Sequence, residues 1–220
     1  MNDLIGLLLS GVYLFSILSL GQLLYRKGRL SPNGFRKWVH LLAGSWILPC
    51  VYLFDHWYWA ALLPLIFVAV NLWGRAHLSL SFESEEKFGP VYFPISFVVL
   101  ISLFWDWPLR WIACVSLLIM AWADAGAALV GQKWGRHPFS LLGARKSLEG
   151  SLAMILVSFL TCWAVFRGLG RLPIASTLWV SSTVALVATA VEAVSGRGLD
   201  NLTVPFAAAL VSYLMLFRSG

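Results

Sequence analysis

Residues 122–151 read WADAGAALVGQKWGRHPFSLLGARKSLEGS and connect two long apolar runs of the chain. The stretch begins with an acid, Asp124, inside apolar sequence and ends with another acid, Glu149, at the start of the next apolar run. Between them lie four Lys and Arg residues, a density of charge that few other parts of the chain reach. We interpret the rest of the chain as a membrane scaffold that holds this polar segment against a substrate.

The composition of the chain is that of an integral membrane protein. Hydrophobic residues make up 60% of its 220 residues and charged residues only 12%, whereas soluble domains carry about 25% charged residues. Most of its apolar stretches approach the ~20 residues that cross a bilayer as a helix. The sequence therefore predicts an all-α integral membrane protein, with a single transmembrane domain over 1–220 folded as a compact polytopic bundle of seven or eight transmembrane helices. The apolar stretches lie at about 4–25, 37–54, 57–73, 90–105, 108–131, 148–167, 174–194 and 201–217.

The distribution of the cations predicts the orientation of the bundle. If all eight stretches cross, twelve of the 16 Lys and Arg residues lie on one face, in or beside the connections 26–36, 74–89, 132–147 and 195–200. Cytoplasmic connections of membrane proteins carry such an excess. We therefore expect the polar segment at the cytoplasmic face, and we attribute the net charge of +6 to membrane orientation and not to nucleic-acid binding.

Asp124 is the acid that lies deepest in an apolar stretch. Acids within membrane segments are rare and mark functional sites that face the bundle interior. Residues Ala121, Asp124, Ala128 and Gly131 are spaced three, four and three apart, which predicts one helical face. The small residues of this face would admit a close neighbouring helix, and an acid that is only bonded to that helix is the structural alternative.

Four cations follow Asp124 and could bind either lipid headgroups or a phosphorylated substrate. Cations in a membrane-surface loop meet anionic lipid headgroups. However, this loop ends at Ser147, a candidate N-cap, and at Glu149, which is favourably placed at the positive end of a helix. Because such a helix end also offers unpaired N–H groups to an anion, we consider a bound phosphate here. The four cations are Lys133, Arg136, Arg145 and Lys146.

A second polar segment, residues 192–205, reads EAVSGRGLDNLTVP and is predicted at the same face. Asp200 or Asn201 would make a good N-cap for the last helix. Their hard oxygen atoms, with Glu192 nearby, could also complete a magnesium site. Arg197 adds a cation to this segment.

Two further polar clusters in the sequence each allow a structural and a functional interpretation. Arg36 and Lys37 are typical of a positive-inside anchor, and His40 lies one turn further into the apolar stretch. A neutral histidine bonded to a neighbouring carbonyl and a catalytic histidine are both consistent with that position. An acidic cluster fits either a solvated loop or a rim that attracts magnesium, and it consists of Glu83, Glu85 and Glu86.

Together these motifs resemble the polyprenol kinase family, which includes dolichol kinases, phytol kinases and CTP-dependent diacylglycerol kinases. The resemblance is carried by DAGAALVG at 124–131, the region 133–136, KSLEGS at 146–151 and E-x5-GLDNLTVP at 192–205. The entrance Arg36-Lys37-x-x-His40 is similar too. The motifs occur in order and span most of residues 36–205.

The resemblance implies transfer of a nucleoside triphosphate's terminal phosphate, typically from CTP, to the hydroxyl of an isoprenoid alcohol or diacylglycerol. From the chemistry of such a transfer we expect Asp124 at the membrane boundary to orient or deprotonate that hydroxyl. The expected catalytic residues are Asp124, Lys146 and Glu149. Phosphate binding is expected from Lys133, Arg136, Arg145, Lys146 and Ser147. Magnesium (Mg2+) is expected at Asp200, Asn201 and Glu149, with support from Arg36, His40, Glu192 and Arg197.

Two other functions stay open on these residues. A membrane cytidylyltransferase that makes a CDP-lipid would release pyrophosphate and not CDP. A non-catalytic lipid-binding or transport bundle would consume no nucleotide. The short chain favours a minimal bacterial-type enzyme in the inner membrane, while the apolar and aromatic residues leave the lipid alcohol undefined.

Overall fold

The computed structural model describes residues 3–77, 88–196 and 198–217, and nearly all of them are helical. Arg197 and the acidic cluster Glu83, Glu85 and Glu86, both singled out in the sequence, lie outside the described residues. The helices are α1 (Asp3–Arg26), α2 (Pro32–Ser45), α3 (Ile47–Leu53), α4 (Trp57–His77), α5 (Gly89–Leu103), α6 (Arg110–Leu118), α7 (Asp124–Trp134), α8 (Leu148–Trp163), α9 (Ile174–Val194) and α10 (Asp200–Phe217). Turns of π-helix, Ile119–Ala123 and Ala164–Leu169, join α6 to α7 and extend α8, and two strands, β1 (Pro138–Leu141) and β2 (Ala144–Ser147), precede α8.

The prediction of an all-α polytopic membrane bundle is confirmed. Among the described residues, six helices are long and apolar enough to cross a membrane, and the 15-residue α5 is a shorter apolar helix. The α2–α3 pair, interrupted at Trp46, accounts for the remaining predicted stretch. Large apolar side chains on the outer helices, such as Leu8, Leu156 and Trp179, are exposed and suited to contact with lipid.

The segment from α6 to α7 forms the centre of the bundle. All nine residues of α6 are buried, and 72% of the apolar window within Arg110–Trp134 is inside the protein. A helix that is apolar on every side is stable only where other helices surround it. Asp124 therefore lies in the most enclosed of the six described membrane spans.

Small residues bring the helices around Asp124 close together. A Cβ atom on Gly44 of α2 would lie 2.2 Å from the Cβ of Ala121, so only glycine fits at that crossing. A Cβ on Gly150 of α8 would lie 3.5 Å from the Cα of Gly131. The predicted small-residue face thus serves two helix contacts, one with α2 and one with α8.

A β-hairpin lies within the polar segment, where the sequence predicts only an irregular connection. Its strands pair antiparallel, with Phe139 opposite Lys146 and Leu141 opposite Ala144. The two turn residues both have positive φ, 46° at Leu142 and 83° at Gly143. Two-residue hairpin turns of type I′ require that conformation at both positions, and only the glycine adopts it without strain.

The end of the bundle remote from the hairpin is closed by hydrogen bonds to the backbone. The Asp3 carboxylate accepts from the N–H of Asp55 at 2.8 Å and lies 2.6 Å from Nδ1 of His56. Buried Arg110 donates to the carbonyls of Trp105 and Val51, both at 2.9 Å. Its guanidinium also lies over the rings of two tryptophans, Trp105 and Trp107.

Candidate active site

A cavity of about 1270 Å³ opens at the hairpin end of the bundle and contains most of the predicted site residues. Four helices, α2, α5, α8 and α10, begin at its wall, contributing Asn33, Gly89, Ser147 and Asp200 from their first turns or caps. Helix N-termini carry partial positive charge and unpaired N–H groups. Their convergence makes this end of the cavity suited to an anionic ligand.

Lys146 lies between the two polar segments of the sequence and joins them. Its ammonium group forms an ion pair with the carboxylate of Glu192 on α9 and lies 3.7 Å from Oδ2 of Asp200 on α10. Pairing with Phe139 fixes the backbone of Lys146 in β2. The next residue, Ser147, ends β2 and accepts a hydrogen bond from the N–H of Gly150 at 3.1 Å, which confirms it as the N-cap of α8.

The electrostatics of this cluster keep the lysine charged. Glu192 is only 3% exposed, so its carboxylate depends on the lysine for compensation. Burial disfavours the charged form of Lys146, but the nearby carboxylates, Glu192 foremost, outweigh it and hold the pKa of the ammonium above its ordinary value. Lys146 therefore stays protonated at the wall of the cavity.

Asp124 lines the same cavity beside His40 of α2. The His40 Nε2 atom lies 3.1 Å from the carbonyl oxygen of Met120 and 3.9 Å from Oδ2 of Asp124. The first distance is that of a hydrogen bond and the second is not. Of the two interpretations that the sequence left open, the structure therefore shows a histidine bonded to a neighbouring carbonyl.

The cavity brings together nine of the predicted site residues and leaves three outside its lining. Lys133 and Arg136 are exposed and do not line it, and Lys133 lies over the ring of Trp134 instead. Glu149 is also outside the lining. The nine lining residues are Arg36, His40, Asp124, Arg145, Lys146, Ser147, Glu192, Asp200 and Asn201.

Glu149 has a local partner. Its carboxylate lies 2.7 Å from Nδ1 of His137 and accepts a longer bond, 3.4 Å, from the backbone N–H of the same residue. His137 directly precedes β1, so this pair closes the base of the hairpin over the start of α8. In this arrangement Glu149 supports the hairpin that carries Lys146.

The oxygen atoms that line the cavity fit a magnesium ion that is shared with a substrate. Within the described ranges, no group of three or more His, Cys, Asp or Glu side chains could hold a metal ion by itself. Magnesium in phosphoryl-transfer enzymes is usually bound by one or two carboxylates together with substrate phosphates and water. Asp200 and Asn201, adjacent at the start of α10 and both in the lining, meet that smaller requirement.

The lining also contains polar residues that were not among the predicted site residues, and Gln132, Asn33 and Asn71 are examples. Gln132 accepts a hydrogen bond from the Lys37 ammonium at 2.9 Å, which links α7 to α2 across the rim. Asn33 and Asn71 add amides from α2 and α4. Helical periodicity could have indicated Gln132, because it lies eight residues after Asp124 and so on the same face.

Below its polar rim the cavity becomes apolar. Along α2 the lining passes from Arg36 through Ala43 to Trp46, a descent of about 15 Å at the helical rise. Phe93 and Phe97 of α5 line the cavity alongside. Trp46 and Phe97 are each only 2% exposed, so they belong to the protein core where the cavity reaches it.

The sequence of the chain is similar to those of phytol kinases and of a CTP-dependent diacylglycerol kinase. It is 35% identical over 209 residues to a phytol kinase of Synechocystis sp., covering 93% of this chain and 89% of that protein. It is 30% identical over 205 residues to a probable chloroplastic phytol kinase of Triticum aestivum, covering 82% and 66% of the two chains. It is 30% identical over 156 residues to CTP-dependent diacylglycerol kinase 1 of Schizosaccharomyces pombe, covering 66% and 69%.

No family model and no solved structure matches the chain. The Synechocystis phytol kinase nevertheless aligns with 93% of the chain. Of the three functions that the sequence left open, this similarity supports the kinase. The chain therefore belongs to the polyprenol kinase family, a family of lipid-alcohol kinases.

Proposed function

We propose that this protein transfers the terminal phosphoryl group of a nucleoside triphosphate, with CTP as the first candidate, to the hydroxyl of a long-chain isoprenoid alcohol such as phytol. The reaction would take place at the cytoplasmic face of a bacterial inner membrane. The acceptor is suggested by the phytol kinases among the relatives, and the donor by the CTP-dependent diacylglycerol kinase.

One observation carries the proposal: a single cavity has a cationic rim and an apolar interior, and Asp124 lies between them. A nucleoside triphosphate is a polyanion and belongs at the rim, near Arg145 and Lys146. A lipid alcohol belongs with its chain among the apolar residues, near Trp46 and Phe97. The two substrates would then meet at the level of Asp124.

The residues at the rim would lower the barrier mainly by position and charge. In-line phosphoryl transfer builds negative charge on the transferred group and the leaving oxygen, which nearby cations stabilise. Lys146 is held in place by its carboxylate partners and would need little reorganisation to act on that charge. Arg145, next to it on β2, would bind the phosphate chain.

Asp124 would orient the acceptor hydroxyl and take its proton. The hydroxyl oxygen would bond to the terminal phosphorus while the bond from phosphorus to the bridging oxygen breaks, and a nucleoside diphosphate would leave. Asp124 is a candidate for this role because its side chain is 29% exposed to the cavity and lies beside an apolar interior. Asp200 and Asn201 would hold magnesium, which neutralises phosphate charge when it is bound.

The decisive experiment uses purified protein in lipid nanodiscs with radiolabelled CTP or ATP and a panel of alcohols that includes phytol, a polyprenol and diacylglycerol. We expect a phosphorylated lipid and a nucleoside diphosphate as products. The Asp124→Asn variant should stay folded and lose turnover by at least about 100-fold. Pyrophosphate and a CDP-lipid as products would contradict the proposal, as would near-normal turnover by Asp124→Asn.

A further inference from the structure

The π-turn Ile119–Ala123 immediately precedes Asp124 in the chain. In a π-turn the hydrogen bonds join residue i to residue i+5, and not to residue i+4 as in an α-helix. The turn therefore contains one extra residue, and one backbone carbonyl no longer takes part in the regular pattern of α-helical hydrogen bonds. Met120 lies in this turn, and its carbonyl accepts a hydrogen bond from His40 on a different helix. The imidazole thus provides a donor where the helix departs from its own hydrogen-bonding pattern.

The inserted residue determines which way Asp124 faces. Each residue of an α-helix advances the side-chain direction by about 100°. If the turn relaxed to regular α-helix with α6 fixed, every residue from Asp124 onward would rotate by about that angle. The Asp124 carboxylate would then no longer face the cavity.

His40 is held against the π-turn from two sides. Gly44, one turn further along α2, lies against Ala121 so closely that a Cβ atom would clash. On its other side the His40 ring packs against Phe93 of α5, with 4.5 Å between ring centroids. Because a carbonyl oxygen can only accept, Nε2 of His40 must carry the hydrogen in this contact, and that nitrogen is not available as a base.

We propose that His40 is a positioning residue: its Nε2–H stabilises the π-turn through the Met120 carbonyl and so keeps Asp124 directed into the cavity. The role of Asp124 in this inference depends on the proposed function, but the orientation of Asp124 does not. His40 acts through the backbone of the neighbouring helix and transfers no proton itself.

A matched pair of substitutions tests this role. His40→Gln keeps an N–H donor of similar reach but cannot titrate, whereas His40→Phe keeps a ring and loses the donor. We expect His40→Phe to lower kcat by about 100-fold, the loss typical of a displaced catalytic group, with KM for the nucleotide little changed. His40→Gln should recover most of that loss.

A second measurement, chemical labelling, reports the orientation of the Asp124 side chain and does not depend on catalysis. The Asp124 carboxylate is labelled with a water-soluble carbodiimide and an amine, and quantified by mass spectrometry, with Asp124→Asn as the blank. Labelling should fall several-fold in His40→Phe and return in His40→Gln. If His40→Phe does not fold, Gly44→Ala, which forces α2 away from Ala121, takes its place and should reduce labelling in the same way.

The outcomes separate the two proposals. Unchanged Asp124 labelling in both His40→Phe and Gly44→Ala would overturn the positioning role. So would a His40→Gln variant as inactive as His40→Phe, since that result indicates acid–base chemistry by the histidine. If the wild-type protein phosphorylates no alcohol, the proposed function fails, and the labelling data alone decide the role of His40.

Discussion

The two ends of the bundle use similar polar residues in opposite ways. At the closed end, Arg110 donates hydrogen bonds to backbone carbonyls and lies over the rings of two tryptophans. At the open end, Lys146 is held by the side chains of Glu192 and Asp200 at the wall of a cavity. We infer that Arg110 stabilises the fold, whereas Lys146 is placed to bind the proposed phosphate.

Substitution of Lys146 should give the largest effect on function. Lys146→Met removes the proposed phosphate-binding charge, and we expect kcat/KM to fall by about 100-fold to 1000-fold. It also leaves buried Glu192 without its partner, which should lower stability by about 3–5 kcal/mol. The double variant Lys146→Met/Glu192→Gln should regain thermal stability but not activity, and recovery of both would mean that the pair is only structural.

Substitution of Arg110 should give the reverse pattern. Arg110→Met leaves the carbonyls of Trp105 and Val51 without this donor, and each loss costs about 1–3 kcal/mol. We expect a clear fall in Tm and unchanged kcat/KM for the protein that remains folded. A large change in KM for either substrate would show that the two ends are coupled.

The cations of the polar segment provide an internal comparison. Arg145 lines the cavity and Lys133 does not, although both are exposed. Arg145→Gln should raise KM for the nucleotide about tenfold, as expected for loss of a charged phosphate contact. Lys133→Gln should change it by less than about twofold. Equal effects of the two substitutions on steady-state KM would mean that only the overall charge of this surface matters.

The smallest effect is expected at the turn of the hairpin. Leu142 is 88% exposed and has a φ of 46°, a conformation that costs a residue with a Cβ atom about 1 kcal/mol. Leu142→Gly should therefore raise stability slightly, by a few tenths to about 1 kcal/mol, with activity unchanged. Thermal unfolding of Leu142→Gly would check this expectation, with Leu148→Ala as the control because Leu148 is another exposed leucine just after the hairpin. A lower Tm for Leu142→Gly would indicate that Leu142 makes a contact in the membrane.

The sequence was sufficient to predict the bundle and the meeting of its two polar segments. Hydrophobic length predicts the helices, and alternation of the crossings places residues 122–151 and 192–205 at one end, where Lys146 and Glu192 indeed pair. Helical periodicity would also have excluded Lys133, which lies nine residues and therefore half a turn away from the Asp124 face. The roles of the individual site residues stay predictions.

Other features depend on tertiary contacts that no local pattern reports. The π-turn before Asp124 accepts a hydrogen bond at the Met120 carbonyl from His40, which is 80 residues away from Met120 in the chain. The pairing of Glu149 with His137 depends on the hairpin, whose turn has a leucine where asparagine or aspartate would have been a clear signal. The magnesium prediction grouped Glu149 with Asp200 and Asn201, whereas in the structure Glu149 pairs with His137 and does not line the cavity.

Ser147 belongs to two structural elements at once, because it is both the last residue of β2 and the N-cap of α8. No flexible peptide separates the strand that carries Lys146 from a helix anchored across the membrane. We therefore expect the hairpin to move together with α8. We expect an opening for the proposed nucleotide at the wall formed by α2, which begins after a short turn at residues 27–31.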